Sequence, residues 1–335
     1  MSHLADHGTQ HVSFIGVTTG SSAIMRIFPQ WARLLALGDV VMTGYDLPPH
    51  AEPRRYRDVV AAIRSGPREV GGLVTTHKID LFRACRDMFD YVDPYASLCG
   101  EVSCLSKRDG TFRAHAKDPV ASGRSLDEFI RPGHWQETGG EALLLGAGGS
   151  NLAISHHLLT GRSRDDRPSR IIVVDRDLAR LDAVRAVHHR LEPDVAVSYV
   201  HSTDPGQNDL LLTGLPPESL VVNGTGMGKD TPGSPITGAA LFPEGAFVWE
   251  LNYRGELDFL HQAQRQREAR GLAISDGWRY FIHGWTGMIE EVFNMDIGAE
   301  QVRHLSETAL LLRNDPNGGR PRQNDDADEM LREQR

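Results

Sequence analysis

Apolar residues fall along this chain in two alternating patterns: short continuous runs, and longer stretches in which they recur every three or four positions. The runs read as strands, and the periodic stretches as helices that turn one face to a core. Residues 12–16 (VSFIG) read as a first strand, and 22–37 carry Met25, Phe28, Trp31, Leu34 and Leu35 at helical spacing. A strand at 40–45, a helix at 55–65, a strand at 71–74 and a helix at 79–89 follow. This order predicts an α/β domain with parallel strands. Segments 100–105 and 111–116 flank Lys107-Arg108-Asp109-Gly110, whose Asp-Gly step is a strong hairpin signal. A connecting helix is predicted from Asp118 to about Pro132, and the polar, glycine-rich 133–141 makes a boundary. The second unit reads strand 143–145, helix 150–160, strand 171–174, helix 178–190 and strand 196–200, with further strands at 220–222 and 247–251. Helical periodicity returns from Gly284 through Met288, Val292 and Phe293, and again over 302–312. After Arg313 the chain is charged and poor in apolar residues, which predicts a disordered tail.

The second unit opens with the most informative stretch. The run 143–145 meets Gly146-Ala147-Gly148-Gly149, and the next run ends on Asp175. Glycines at the end of a strand let backbone approach a pyrophosphate, and the following helix points its N-terminus at the phosphate charge. An acid closing the next strand binds a ribose diol. The fingerprint is imperfect. Asn151 fills its third small position, and Asp175 comes later than the usual ~20 residues, an excess that the polar segment 161–170 explains as a surface loop.

The 335-residue length favours two domains, and an apolar fraction of 40% suffices for packed cores. A net charge of −9 argues against a nucleic-acid surface, and no apolar run approaches the ~18 residues of a membrane span. The start, MSHLADHGTQH, does not read as a signal peptide. Three cysteines without metal-ligand spacing (Cys85, Cys99, Cys104) suggest reduced thiols in the cytoplasm and no metal site. His3, His7 and His11 lie in a polar leader that more readily frays than binds metal, and the pairs His156/His157 and His188/His189 are expected at the surface.

Taken together, the landmarks resemble the shikimate/quinate dehydrogenase family over roughly residues 12–300. A strand and Gly16 precede a loop with Ser21 and Ser22. GGLVTTHK ends at Lys78, and the hairpin GEVSCLSKRDGTFRAHAKD ends at Asp118. The GAGG loop, the Asn223-Gly224-Thr225 turn, Tyr253 and the Asp276-Gly277 step that opens the return helix follow in order. The resemblance implies an α/β fold with an N-terminal α/β substrate domain (1–122, completed by helices at about 284–312) and a Rossmann-type, doubly wound dinucleotide-binding domain (123–283). It implies hydride transfer between a nicotinamide cofactor and a cyclic polyol or keto substrate, with Lys78 and Asp118 catalytic. Ser22, Thr75, Thr76, Ser103 and Tyr253 would contact substrate. Gly146, Ala147, Gly148, Gly149, Ser150, Asn151, Asp175, Arg176, Asn223, Gly224, Thr225 and Gly277 would hold the cofactor. A desolvated Lys78 should lose basicity. His77 is expected to be structural, Lys117 to point to solvent, and Trp278 and Trp285 to line the pocket or fill a helix interface.

The departures from the family fall on substrate contacts. Ile24 replaces the second serine of the loop, Gly72-Leu73-Val74 replaces Asn-Val-Thr, Ser103 replaces the hairpin asparagine, and Gly284 followed by Trp285 replaces the return-helix glutamine. A pocket built to hydrogen-bond hydroxyls does not keep its ligand when those partners go. The expected substrate is therefore not shikimate itself, and an enzyme of specialised metabolism acting on an aminated or deoxygenated ring also fits. Glu250 stands where the family has aspartate. Asp175 favours NAD over NADP, because a carboxylate repels a 2′-phosphate. A monomer or homodimer is expected. Two rivals explain less. An S-adenosylmethionine-dependent methyltransferase leaves the first unit without a role, and a non-catalytic dinucleotide sensor leaves Lys78 and Asp118 without one.

Overall fold

The computed structural model describes residues 8–229 and 231–314. The expected C-terminal tail lies almost wholly outside them, as do His3 and His7. Strands β1 (Gln10–Gly16), β2 (Val40–Asp46), β3 (Glu69–Val74), β4 (Tyr91–Val92), β5 (Cys104–Arg108) and β6 (Thr111–His115) form a first six-stranded sheet in the order β2-β1-β3-β5-β6-β4. β1 pairs in parallel with β2 and β3, while β5 runs antiparallel to β3 and to β6. The β5–β6 turn places Asp109 (φ +51°) and Gly110 (φ +75°) in the left-handed region, as a two-residue hairpin turn requires.

The second sheet holds β7 (Ala142–Leu145), β8 (Arg170–Asp175), β9 (Ala196–His201), β10 (Leu220–Asn223), β11 (Phe247–Glu250) and β12 (Ala273–Ser275). Its order, β12-β11-β10-β7-β8-β9, is parallel throughout. This is the doubly wound order, whose direction of winding reverses between β7 and β10. Ligands of such sheets bind outside the carboxyl ends of the strands at that reversal. β7 and β10 are buried along their whole length, as expected for central strands covered by helices on both faces.

The last two helices among the described residues, Trp278–Phe293 and Ala299–Asn314, pack on the first sheet. Trp285, Met288, Val302 and Leu305 join Phe14, Phe28 and Trp31 in one core, and Trp31 Nε1 donates to the Leu305 carbonyl at 2.9 Å. The return helix starts at Trp278 rather than Gly284, because Asp276 Oδ1 accepts the Trp278 N–H at 3.0 Å and fixes its first turn. Arg313, at the edge of the expected tail, belongs to the helix Ala299–Asn314 and pairs with Asp276 at 3.2 Å.

Other local expectations change. The boundary segment 133–141 contains a short helix, His134–Thr138, whose Trp135 is buried. The neighbouring loop at 161–170 is tied to it, since Asp166 accepts the N–H groups of Gly133 (2.8 Å) and Trp135 (3.0 Å). His156 and His188 are buried, not at the surface. His188 bridges Ser155 Oγ and Tyr199 OH at 2.8 Å each. Burial holds both imidazoles neutral, with pKa values pushed down to about 4.

Candidate functional site

A cleft of about 750 Å³ opens where the carboxyl ends of β1 and β3 face the second sheet. Past Val74 the chain turns sharply through Thr75 and Thr76. Thr76 sits at φ +59°, a left-handed conformation that costs a β-branched residue about 1–3 kcal/mol. The turn starts the helix Lys78–Cys85 at Lys78 itself, so the lysine leaves the strand end and enters the cleft. Asp118 is the first residue of the helix Asp118–Phe129, where free N–H groups favour a carboxylate. Lys78 Nζ donates to Asp118 Oδ2, with side chains 24% and 12% exposed.

Tyr280, which the sequence did not single out, donates to the same Asp118 oxygen at 3.1 Å. Burial foremost, then the Asp118 charge, raises its pKa well above the ordinary phenol value, so it remains a neutral donor. Glu101 was also missed. It is 4% exposed and electrostatically coupled to Lys78 and Asp118. Burial weakens the charge on Lys78, but Asp118 and Glu101 outweigh it and hold the pKa above the ordinary value. The expected loss of basicity is therefore corrected: the lysine is an ammonium at neutral pH.

Ser22, Thr75, Thr76, Ser103 and Tyr253 all line the cleft. The Ser103 hydroxyl is already engaged, accepting the Lys117 N–H at 2.7 Å. Tyr253 packs against Trp278 and Phe281, at 5.6 and 5.1 Å between ring centres. Trp278, Gly284 and Trp285 also border the cleft, whereas Ile24 is wholly buried in the core. Lys117 does not point to solvent; it lines the cleft and donates to Glu291 at 2.6 Å. His77 is buried with Nδ1 3.2 Å from Tyr56 OH, which suits a structural role. Among the described residues the lining carries Arg26, Lys78, Lys117, Lys229, Arg254 and Arg313 with one acid, Asp118; of these cations Lys78 pairs with Asp118, Lys117 with Glu291 and Arg313 with Asp276.

On the other wall, residues 146–151 run from the end of β7 into the helix Gly149–Thr160. Gly146 has φ +100°, and a Cβ there would come within 2.9 Å of the Gly224 backbone. The helix has no side-chain cap and no acid in its first turn, which leaves its N–H groups to an anion. Asn151 does not face this space. It is buried, and its Nδ2 donates to the carbonyls of Leu145 (2.9 Å) and Gly146 (2.7 Å), bracing the loop from below. Asn223 is likewise buried. Its Oδ1 accepts the Thr225 N–H at 3.1 Å and its Nδ2 donates to Glu250 Oε2 at 2.6 Å. Glu250 also accepts the Asn252 N–H at 2.8 Å, so its place is to hold the Asn223-Gly224-Thr225 turn; burial pushes its pKa up to about 7. Asp175 accepts the N–H groups of Ala147 (2.6 Å) and Asp177 (2.8 Å), and Arg176 beside it is exposed. Ser150, in the first turn of the glycine-loop helix, and Gly277 line the cleft that holds Lys78 and Asp118, whereas residues 146–149, Asp175, Arg176 and residues 223–225 are not part of its lining. A Cβ on Gly277 would lie 1.9 Å from the Leu251 carbonyl oxygen, which explains glycine there. A bare helix N-terminus, a glycine loop at the sheet's reversal and an acid at the next strand end together fit a dinucleotide.

No family model matches the chain. A shikimate dehydrogenase (NADP(+)) from Methylobacterium radiotolerans is 30% identical over 241 residues, covering 71% of this chain and 75% of that protein. The chain belongs to the shikimate/quinate dehydrogenase family. Solved structures repeat the fold. Quinate dehydrogenase from Corynebacterium glutamicum in complex with NAD superposes with a TM-score of 0.71 at 22% identity, over 90% of this chain and 99% of that one. The ligand-free 5-ketofructose reductase of Gluconobacter sp. strain CHM43 gives 0.66 at 16% identity, over 91% and 99%. The shikimate/quinate dehydrogenase fold thus carries proteins named for different substrates, and Leu73, Val74, Ser103 and Gly284, where the sequence reading expects departures from the family, line the cleft together with Trp285.

Proposed function

We propose that this family member transfers a hydride between a nicotinamide dinucleotide held by the second sheet and a cyclic polyol or keto compound in the cleft. The observation that carries the proposal is the meeting of Lys78, Asp118 and Tyr280 on a cleft that Ser150, in the first turn of the glycine-loop helix, also lines. The dinucleotide would rest on residues 146–150, Asp175, Arg176, Thr225 and Gly277, and it supplies the hydride chemistry.

The chain's own task is the proton. Lys78, an ammonium, donates its proton to the substrate carbonyl oxygen in reduction and stabilises the alkoxide as charge develops. In oxidation the same lysine must first be deprotonated. Asp118 orients Lys78 and accepts a hydrogen bond from a neighbouring substrate hydroxyl, and Tyr280 holds Asp118 in place. The residue set 1–122 with the returning helices 284–312 works as the substrate lobe, and 123–283 as the dinucleotide lobe.

Arg26 and Arg254 in the lining support a substrate that bears an anionic group. The loss of hydroxyl-binding partners at residues 72–74, Ser103 and Gly284 supports a ring other than shikimate. Asp175 supports NAD over NADP, although the Methylobacterium relative is named for NADP(+). A panel of cyclic polyols, amino-cyclitols and their ketones, offered with each dinucleotide, tests the reading by absorbance of the reduced cofactor. Turnover of at least one ring compound other than shikimate is expected. Dinucleotide binding with no turnover across the panel would favour the sensor instead.

A further inference from the structure

Glu101 places a buried acid at the seam of the two lobes. It follows Gly100, whose left-handed φ of +66° ends the helix Pro94–Cys99, and among the described residues its carboxylate makes no hydrogen bond. A Cβ built on Gly149 would come within 2.9 Å of Glu101 Oε2, so the carboxylate lies against the first residue of the glycine-loop helix. The titratable groups around it come from every packed element: Lys78 and Asp118 from the first residues of their helices, Cys99 from the preceding helix, and Tyr280 from the return helix. Burial keeps Cys99 and Tyr280 neutral; Lys78 is the cation that acts on Glu101, while Arg190 and Asp93 act on Cys99 from further out.

A carboxylate beside a bare helix N-terminus repels the anionic ligand that those N–H groups would otherwise hold. Resting on the dinucleotide reading above, we propose that Glu101 stands as a carboxylate beside the anion seat of the glycine-loop helix, and that a dinucleotide binds only as Glu101 takes up one proton from solvent. A pyrophosphate and a carboxylate at one water-poor helix end repel each other strongly, and protonation removes that repulsion. The acid is poised for the change: burial, with a further push from Asp118 and against the pull of Lys78, raises its pKa to about 7. Protonation also removes one of the two acids that hold Lys78 as an ammonium, so dinucleotide binding would ease the lysine toward proton release.

The test is calorimetric titration of NAD and NADP into the full chain and into Glu101→Gln, at about pH 6 and about pH 8.5, in two buffers of different ionisation enthalpy. The proposal expects uptake of about one proton by the wild type at the higher pH, with Kd rising toward tenfold per pH unit above about 7. Glu101→Gln should bind without proton uptake and with a Kd that stays flat. Difference infrared spectra of the unmodified chain should show a protonated-carboxyl band growing as dinucleotide is added at about pH 8.5, a reading independent of the variant's folding. Binding by the wild type with no proton uptake and no new band, or the same pH profile in both proteins, overturns this proposal alone. Absence of dinucleotide binding by the wild type at either pH overturns the dinucleotide reading, and this proposal with it.

Discussion

On the second-sheet wall of the cleft the groups that meet a ligand are mostly main chain. The end of β7, the glycine loop and the first turn of the next helix present N–H groups, while Asn151, Asn223 and Glu250 work from behind to hold that backbone. On the first-sheet wall the groups are polar side chains delivered by distant segments: Lys78 from just past the end of β3, Asp118 from the connecting helix, Tyr280 from the return helix. Backbone shape is set by a few glycines and braces, so a family can keep it while everything opposite changes. Side-chain chemistry needs residues that are remote in sequence to meet, and here Lys78 and Asp118, the proposed reacting pair, meet among the cleft positions expected to depart from the family. The division assigns shared chemistry to the pair and new specificity to its surroundings.

Removing the ammonium should have the largest effect. Lys78→Ala is expected to lower kcat by roughly 10²–10⁴-fold while leaving dinucleotide Kd near its original value, measured by stopped-flow and calorimetry on one preparation. Equal losses in both would erase the distinction between the walls. Gly146→Ala attacks the backbone wall: a residue at φ +100° pressed on Gly224 should cost about 1–3 kcal/mol and weaken dinucleotide binding, with turnover at saturation much less affected.

Glu250 offers a stability test of the brace. Its folded pKa of about 7 exceeds the unfolded value of 4.5, so the folded chain holds this proton more tightly. Its contribution therefore falls as pH rises from about 4.5 through about 7, by an amount of order 1–3 kcal/mol. Urea titrations of Glu250→Gln should show a flatter pH dependence across that window, and an unchanged slope would remove Glu250 from the account. Tyr280→Phe deletes the hydrogen bond to Asp118, at about 1 kcal/mol, and should lower kcat about fivefold with a small change in KM. Asp175→Asn should have the smallest effect, weakening NAD binding a few-fold and NADP binding less, since the variant keeps one acceptor and loses the repulsive charge. Equal weakening of both would reject the ribose role.

The second sheet was legible because its central strands are continuous apolar runs of a length that excludes helices, and because glycine clusters after a strand have few other uses. The order of motifs pointed to Lys78 and Asp118. Tyr280 and Glu101 carried no local signal: one phenol in an aromatic-rich helix and one carboxylate beside a valine acquire meaning only when four segments converge. Lys117 was misassigned because its partner, Glu291, lies far along the chain. His156 offered a clue that was passed over. Its helix, Gly149–Thr160, is apolar on nearly every side, and a histidine in the middle of such a helix is buried whichever way it faces.

The most direct test of the two-walled cleft is a crystal structure of the chain soaked with dinucleotide. The account predicts the pyrophosphate on the start of the helix Gly149–Thr160 and the nicotinamide ring across the cleft from Lys78 and Asp118, with room between them for a substrate ring. A nicotinamide ring lying outside the cleft, or on the far side of the second sheet from that pair, would contradict it.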